Sequence, residues 1–498
     1  MSGSGDELDV VLERYEAVIG LEVHTHLRTE SKLFSPAPVR YGDPPNHSVH
    51  LIDLALPGVL PVLNERVVEL AIRLGLATHS RVNTHSVFAR KNYFYPDLPK
   101  GYQISQYEEP VVSDGWIEID VPSASARAPE CRRIGITRAH LEEDAGKSIH
   151  DSAVAGSEGT HIDFNRAGVA LLEIVSEPDL RSPAEAGAYL RALRQTLRYL
   201  EVSEADLEKG QFRCDANVSI RLRGEQELGT RTELKNLNSF RFVEEAIAAE
   251  ILRQADVLDE GGVVKQATMA YDPDTGRTRV LRLKEDANDY RYFPDPDLIP
   301  LRIDPERIEQ VRARLPELPE AKRARFERDH GLSADDARQL ASQRDLADFF
   351  DATLRLHRDA RSVANWLLRD LLQLLNERER ELAATQITPE ALAGLLGLVE
   401  AGRLTVRNAR ELLPELVDEG GEAEARMRAR GLEAVRDEGL LDAVVAEVVA
   451  GDPEACERVR AGDDKPLNFL MGQVMKRTKG KANPGQVREL LARRIRGG

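Results

Sequence analysis

The chain has 498 residues, of which 42% are hydrophobic, and a formal net charge of −17. This length predicts two or three domains, because a single core rarely grows beyond roughly 250–300 residues. The hydrophobic content excludes a disordered chain, and the acidic balance is unlike that of a simple nucleic-acid binder, whose surface is usually basic.

The sequence also indicates where the protein works. Its most apolar stretch near the N-terminus, Leu51 to Leu63, is interrupted by Asp53, Pro57 and Pro61. A membrane span needs roughly 18–20 uncharged residues, and no stretch approaches that length. The polar start has no apolar segment typical of a secretory signal. Three cysteines, far apart in sequence, suit a reducing compartment and form no disulfide framework: Cys131, Cys214 and Cys456. We therefore expect a cytoplasmic protein without a membrane partner.

The first 303 residues predict a domain built mainly of strands. Alternating or β-branched runs predict strands at Ala17–His26, Trp116–Val121 and Ala216–Leu222. Helical periodicity is confined to a few segments, such as Pro183–Tyr199 and Phe242–Val257. Because regular helices do not separate the strands, we expect a large antiparallel or mixed sheet instead of a doubly wound one.

Helical patterns dominate the rest of the chain and predict a helical domain at residues 304–428 and a small helical tail domain at 429–498. Ser333 with Asp336 three residues later matches a capping box, and Thr388-Pro389 matches an N-cap followed by proline. Gly420-Gly421 predicts a linker. The fold class is therefore α+β, with a large sheet domain followed by the two helical domains.

A basic cluster lies at the end of this acidic chain. From Lys476 onward there is one negative residue, Glu489, against eight positive ones: Lys476, Arg477, Lys479, Lys481, Arg488, Arg493, Arg494 and Arg496. Two interpretations remain open. The cluster is either a solvated helix surface or a segment that contacts nucleic-acid phosphates.

Candidate catalytic residues are concentrated in four segments of the first domain. In the first segment Glu22, His24 and His26 alternate along a strand, so their side chains share one face. Glu173 lies in an apolar strand, where a lone carboxylate is costly unless it is paired or metal-bound. Converging carboxylates and an imidazole would suit Mg²⁺ better than zinc. Ordinary surface or salt-bridged acids are the alternative, because spacing alone cannot show convergence. The other segments are Arg138–Ser148, Asn165–Asp179 (which includes Glu173) and Arg213–Asn217.

Two further motifs bear on nucleotide binding. Gly146-Lys147-Ser148 resembles the end of a phosphate-binding P-loop, but that pattern requires glycine where this chain has Leu141, so we exclude a Walker-type site. The segment Arg90–Tyr102 places tyrosines beside lysines in a chain that is only 5% aromatic. Such residues stack on bases and contact phosphate, or they anchor a packed loop. Both interpretations stay open.

Nine ordered sequence blocks, spread over nearly the whole chain, resemble the GatB family, the B subunit of the glutamyl-/aspartyl-tRNA amidotransferase. A set of nine blocks in order is far more specific than any single motif. The blocks are VIGLEVHTHL, LPGVLPVLN, RKNYFYPDLPKGYQISQ, HLEEDAGKS, NRAGVALLEIVSEPDLRSP, FRCDANVSIR, ELKNLNSFRF, DYRYFPDPDL and GQVMKRTKGKANP.

The resemblance implies a reaction and a set of partners. The B subunit would use ATP and Mg²⁺ to phosphorylate the side-chain carboxylate of Glu-tRNA(Gln) or Asp-tRNA(Asn), and ammonia would displace the phosphate to give Gln-tRNA(Gln) or Asn-tRNA(Asn). An amidase A subunit would release the ammonia from glutamine, and a small C subunit would complete a heterotrimer. A non-discriminating synthetase, which makes the misacylated tRNA, is a further implied partner.

The resemblance also implies roles for individual residues and regions. The family has a cradle-shaped N-terminal catalytic domain, a helical domain and a C-terminal tail that contacts tRNA. By motif position, the catalytic and metal-binding residues would be Glu22, His24, Glu143, Glu173 and Asp215. Lys91 and Lys100 would lie near the point where ammonia arrives. The cofactor-binding candidates are Lys91, Lys100, Arg166 and Arg213.

The sequence departs from the family pattern in one feature, and two other functions are alternatives to this hypothesis. Some family members carry zinc-binding cysteines just after the first strand, whereas residues 31–46 contain none, so we expect no zinc. The main rival is a non-catalytic RNA-binding scaffold in which the acids are structural. The second rival, a free-standing metal-dependent hydrolase, lacks a convincing nucleophile or base pair.

Overall fold

The computed structural model describes residues 3–121, 130–149, 159–283, 290–434, 438–478 and 481–497. Lys479 of the basic cluster therefore lies outside the described residues. The chain divides into two compact units, residues 1–318 and 319–498. Across the described part of the chain, no helix has the length and apolar character needed to cross a membrane.

The first unit combines sixteen strands with five helices among its described residues. Its helices are α1 Gly3–Arg14, α2 Glu65–Ala77, α3 Pro183–Tyr199, α4 Phe240–Asp259 and α5 Pro305–Ala313. Its strands are β1 Tyr15–His26, β2 Arg81–Val82, β3 His85–Ser86, β4 Ala89–Asn92, β5 Tyr102–Ser105, β6 Val112–Val121, β7 Glu130–Glu143, β8 Lys147–Ile149, β9 His161–Asp163, β10 Ala170–Ser176, β11 Phe212–Leu222, β12 Thr232–Leu237, β13 Ala267–Asp272, β14 Arg277–Leu283, β15 Phe293–Pro294 and β16 Leu301–Arg302.

A nine-stranded sheet forms the centre of this unit, in the order β14-β13-β12-β11-β1-β10-β7-β6-β2. All neighbouring pairs in it are antiparallel except β12 and β13, which are parallel. Smaller sheets pair β15-β4-β5, β16-β3 and β8-β9. The predicted α+β class and the mixed sheet are confirmed.

The two faces of the sheet differ because side chains alternate along each strand. On β1, Leu21 and Val23 are buried, whereas Glu22 and His24 between and beyond them point to the other side. The buried residues join one hydrophobic core with side chains of α2, α3 and α4. We call the opposite side, which carries Glu22, His24 and His26 of β1, the polar face.

Local sequence signals determine where the helices that pack against the sheet begin. Pro183–Tyr199 is helical as predicted, and the hydroxyl of Ser182 caps its N-terminus by accepting from Glu185 N. The helix predicted at Phe242–Val257 is longer, at Phe240–Asp259, and its N-terminus is capped by Ser239. Helix α5 follows the predicted domain boundary at residue 303 but packs into the first core through Val311.

The second unit is helical throughout its described residues. Its helices are α6 Pro319–His330, α7 Ala334–Leu340, α8 Arg344–Leu356, α9 Ala360–Asn365, a π-helix Trp366–Leu371, α10 Leu372–Glu377, a 3₁₀ helix Leu382–Ala384, α11 Pro389–Glu400, α12 Val406–Glu419, α13 Ala423–Ala429, α14 Glu438–Gly451, α15 Pro453–Arg460, α16 Lys465–Arg477 and α17 Pro484–Arg496.

Two helix starts in this unit confirm predictions. Ser333 caps α7 and bonds Asp336, and Thr388 caps α11 with proline at its first position. Buried side chains form one cluster between Phe326 and Met427 and another between Leu441 and Ile495.

The linker predicted at Gly420-Gly421 is wrong. Gly420 ends α12 with φ of 66°, a left-handed conformation that suits glycine. The next helix, α13, packs through Ala423 and Met427 into the same hydrophobic cluster as α12. The two glycines therefore turn the chain within one packed cluster.

Candidate functional site

Four neighbouring strands bring polar side chains into one row on the polar face. On β1, His24 lies opposite Glu173 of β10 on one side and Arg213 of β11 on the other. Glu173 in turn lies opposite His140 of β7. Directly opposite residues on adjacent strands have Cβ atoms roughly 4.5–5.5 Å apart, so the row is contiguous.

Around this row lies a group that we call the acid cluster: Glu22, His24, His140, Glu142 and Glu173. His24 Nε2 lies 3.2 Å from Glu173 Oε2 and 3.5 Å from Glu142 Oε1. The same nitrogen lies 3.7 Å from Glu22 Oε1. His140 Nε2 lies 3.3 Å from Glu173 Oε2. The imidazole and carboxylate atoms form two groups that share Glu173, and within each group the atoms lie within 4.8 Å of one another.

The close charges perturb the ionisation of the acid cluster. Burial lowers the pKa of His24, but the hydrogen bond to Glu173 and the charges of Glu142 and Glu22 outweigh it and raise this pKa to about 9. Burial also raises the pKa of Glu22, and the charge of Glu173 raises it further. For Glu173, burial raises the pKa, but the neighbouring His140 holds it well below its ordinary value. Negative charge is therefore concentrated where a cation would be stabilised.

The chemistry of these donors fits a hard divalent cation. Glu22, His24 and Glu173 form one group and His140, Glu142 and Glu173 the other, so carboxylate oxygens dominate both. Mg²⁺ prefers oxygen ligands, whereas structural zinc sites usually recruit thiolates. The nearest cysteine on β11, Cys214, lies opposite Val23, and both residues belong to the apolar side of the sheet. The metal-binding role of Glu22, His24 and Glu173 stays a prediction.

Glu143, another predicted ligand, is placed outside the acid cluster. It follows Glu142 directly on β7, so its side chain points to the opposite side of the strand. Its Oε1 accepts a hydrogen bond of 2.8 Å from Ile104 N and forms an ion pair with the ammonium of Lys100. The structure thus brings the predicted residues Lys100 and Glu143 together.

Asp215 and Lys91 flank the cluster from two sides. Asp215 lies opposite Glu22 on the neighbouring strand, and its carboxylate forms an ion pair with Lys235 of β12. Lys91 lies with Nζ 5.1 Å from the ring centroid of Tyr290. Burial lowers the pKa of Lys91, but the charge of Glu142 outweighs it and raises this pKa above its ordinary value. The lysine is therefore cationic beside the acid cluster.

The last two predicted residues, Arg166 and Arg213, converge on Asp144. Arg213 Nη2 lies 2.9 Å and Arg166 Nε 3.4 Å from Asp144 Oδ2. His26 Nε2 contacts the same oxygen at 2.8 Å. Burial raises the pKa of Asp144, but Arg213 and His26 outweigh it and hold this pKa well below its ordinary value. The buried carboxylate thus orients two guanidinium groups beside the row of polar residues.

Sequence reasoning named Glu143 and missed His140, Glu142 and Asp144, all within the segment Arg138–Ser148. A signal was present. His140 and Glu142 alternate, so a strand assignment for this segment would have placed them on one face and Glu143 on the other. Lys235 carried no such signal, because its role depends on the pairing of β12 with β11.

Comparison with known proteins assigns most of the chain to two known domain families. Residues 17–309, which include every residue of the acid cluster, match the GatB/GatE catalytic domain. Residues 348–495 of the second unit match the GatB domain. The chain is therefore a protein of the GatB/GatE class.

Relatives that match this chain over almost its whole length show which family within this class it belongs to. A protein of Alkalilimnicola ehrlichii is 51% identical over 97% of this chain and 99% of its own length. A protein of Methylobacillus flagellatus is 50% identical over 97% of this chain and its whole length. One of Nitratidesulfovibrio vulgaris is 51% identical over 97% of this chain and 99% of its own. All three are named as the B subunit of aspartyl/glutamyl-tRNA(Asn/Gln) amidotransferase. This chain belongs to the GatB family.

Proposed function

We propose that this chain converts glutamate or aspartate, already attached to tRNA, into glutamine or asparagine. It uses ATP to phosphorylate the side-chain carboxylate of Glu-tRNA(Gln), Asp-tRNA(Asn) or both, and ammonia then displaces the phosphate. The observation that carries this proposal is the acid cluster, which lies on the central strands of the catalytic domain. The name of the relatives supports the choice of substrates.

The proposed reaction has two steps, phosphorylation of the carboxylate and its amidation. A side-chain carboxylate oxygen attacks the γ-phosphorus of ATP, the bond to the bridging oxygen breaks, and ADP leaves. Ammonia then attacks the acyl carbon, the bond to the phosphate oxygen breaks, and inorganic phosphate leaves while the nitrogen loses a proton. Activation is needed because a free carboxylate is a poor acyl electrophile, and phosphoryl transfer depends mainly on positioning and charge stabilisation.

Different residues of the candidate site would bind the metal ion, stabilise charge on the phosphate and bind an anionic group of a substrate. Glu22, His24 and Glu173 would hold Mg²⁺, which supplies positive charge to the transferring phosphoryl group. Lys91 adds a half-buried cation next to the acid cluster and stabilises negative charge that develops on phosphate oxygens. Arg213, held by Asp144, is oriented to bind an anionic group of either substrate.

The proposal includes partner proteins. An amidase A subunit would release ammonia from glutamine, and a small C subunit would complete the heterotrimer. Both would act with this chain in the cytoplasm, where tRNAs are aminoacylated. The ion pair of Lys100 with Glu143 supports a polar route for incoming ammonia, because both side chains are largely buried and Glu143 directly follows Glu142 of the acid cluster on β7.

A reconstituted complex tests this function. It is assayed with Glu-tRNA(Gln) and Asp-tRNA(Asn) in separate reactions, each with ATP and glutamine or ammonium chloride. We expect amide formation on at least one tRNA and ATP hydrolysis that needs both the misacylated tRNA and an ammonia source. Failure with both tRNAs would refute the proposal, and tRNA binding without any ATP hydrolysis would favour the scaffold.

A further inference from the structure

Strand β14, Arg277–Leu283, forms one edge of the nine-stranded sheet. It pairs antiparallel with β13 on one side, and no other described strand pairs with its second side. An edge strand leaves a row of unpaired N–H and C=O groups, onto which the extended backbone of another polypeptide can hydrogen-bond. The side chains of β14 indicate whether this edge is protected against such pairing or suited to it.

The core-facing side of β14 is apolar and incompletely covered. Val280 lies opposite Met269 and Leu283 opposite Ala267, and both partners on β13 belong to the hydrophobic core. A β-bulge at Leu281 lets these two residues of β14, three positions apart, share one face. Val280 is nevertheless 53% and Leu283 42% exposed. The core face of the sheet therefore ends at this edge with two half-exposed apolar side chains.

The other side of β14 carries positive charge. Arg279 and Arg282 lie opposite Ala270 and Thr268, which alternate with Met269 and therefore face the polar side of the sheet. Both arginines are exposed, and within the described residues no carboxylate forms an ion pair with either guanidinium. In a chain with a net charge of −17, two such cations on one edge strand favour an acidic binding partner.

The two sides of the strand together favour an extended polypeptide as the partner. Sheet edges that are protected from pairing often carry inward-pointing charges, whereas the inward positions Val280 and Leu283 are apolar. RNA would neutralise the arginines, but it offers neither an extended peptide backbone for the open edge nor apolar side chains for these two residues. A second copy of this chain would bring the same arginines to the edge, and like charges repel.

We propose that β14 binds an extended segment of a partner subunit, which joins the sheet as a tenth strand. The main chain of this segment pairs with the open edge of β14, its apolar side chains cover Val280 and Leu283, and its carboxylates lie beside Arg279 and Arg282. The inference rests on the proposed function, because that function requires the chain to act in a complex with other subunits.

Amide hydrogen exchange tests this docking edge on the full chain, alone and in complex with the purified A and C subunits. We expect slower exchange of β14 amides in the complex, because those that point outward become hydrogen-bonded. Misacylated tRNA without the other subunits should leave exchange in β14 unchanged. Raising the concentration of the free chain should also leave it unchanged.

Two substitutions test the two sides of the strand, with binding of the A and C subunits measured by isothermal titration calorimetry. Val280→Asp places a carboxylate against apolar side chains of the partner, and Arg279→Glu opposes the partner's carboxylates with a like charge. Each should raise Kd by at least about tenfold. Arg279→Lys keeps the charge and should stay close to the wild type. The matched control, Val406→Asp, changes a valine of similar exposure in the second unit and should bind normally.

Thermal unfolding of each variant alone separates lost binding from misfolding. Arg279 is exposed, so Arg279→Glu should unfold like the wild type and keeps the test valid if Val280→Asp is destabilised. An unchanged Kd in both variants, or a complex in which β14 gains no protection, would overturn the proposal. Protection by tRNA alone would assign the edge to RNA, and protection in the concentrated free chain would assign it to a second copy; either result also overturns it. If a complex that protects β14 makes no amide on either tRNA, the docking edge stands and the proposed function fails.

Discussion

Some cations of the basic cluster at the C-terminus form ion pairs with carboxylates of the same unit. Arg477 contacts Glu447 at 2.7 Å and Arg494 contacts Asp442 at 2.6 Å. Arg496 forms an ion pair with Asp464. Within the described residues, no carboxylate pairs with the remaining cations, Lys476, Lys481, Arg488 and Arg493. We therefore expect these four to contact tRNA phosphates.

Replacing these four residues with glutamine should flatten the salt dependence of tRNA binding. Each neutralised phosphate contributes a slope of roughly −0.7 to −0.9 to the logarithm of affinity against the logarithm of salt concentration. Four contacts therefore account for a slope of about −2.8 to −3.6, and the variant should lose that amount. ATP-dependent amidation should persist at high tRNA concentration, with KM for tRNA raised and kcat largely kept.

The assay is tRNA binding to the full complex by fluorescence anisotropy over a series of KCl concentrations. The matched control replaces the paired residues Arg477, Arg494 and Arg496 with glutamine. Their charges already face carboxylates, so the slope should change much less. If the paired set flattens the slope as much as the unpaired set, the reasoning from ion pairs is refuted. If neither set changes it, the basic cluster is only a solvated surface.

Four further predictions follow, of which the first three concern the first unit. Glu173→Gln keeps the shape but removes the carboxylate that both donor groups share, so amide formation should fall by roughly 10²-fold or more; normal turnover at saturating Mg²⁺ would place the site elsewhere. Glu143→Gln should also slow amidation by roughly 10²-fold if this residue binds metal, and a Mg²⁺ titration distinguishes that role, through a raised Mg²⁺ requirement, from a loss through Lys100. Lys32→Met leaves Asp53, its fully buried partner at 2.9 Å, without a counter-charge; unfolding in urea should show a loss of about 3–5 kcal/mol, largely restored by adding Asp53→Leu. The chain alone should not hydrolyse glutamine, because its sequence shows no Ser-Lys or Cys-His nucleophile arrangement; robust glutaminase activity in the purified chain would contradict this.

Local features of the fold could be predicted from the sequence because their causes are local. The helix at Pro183–Tyr199 is preceded by Ser182, which supplies the capping oxygen, and the helix after Thr388 begins in the same way. Strand β1 was predicted at Ala17–His26 and spans Tyr15–His26, because its buried and polar residues alternate. The shared face of Glu22 and His24 follows from the same alternation.

The arrangement of the candidate site could not be predicted in this way. His24 meets Glu173 and Arg213 only because β1 pairs with β10 and β11, and nothing near any of these residues encodes that pairing. Alternation separates Glu142 from Glu143, but which of the two shares a face with Glu173 depends on the register of β7 with β10, where a shift of one residue reverses the face. Which tail arginines are ion-paired likewise depends on contacts between distant helices.

The alternation along β1 ties the stability of this protein to its chemistry. Glu22 stands between the core residues Leu21 and Val23, and Val23 separates Glu22 from His24 and packs into the core behind them. A substitution that loosens Val23 would move both neighbours relative to Glu173, even though it touches no substrate. A change in the core therefore also changes the site. We expect tolerance to mutation on this strand to be low at every position, whether the side chain points to the core or to the polar face.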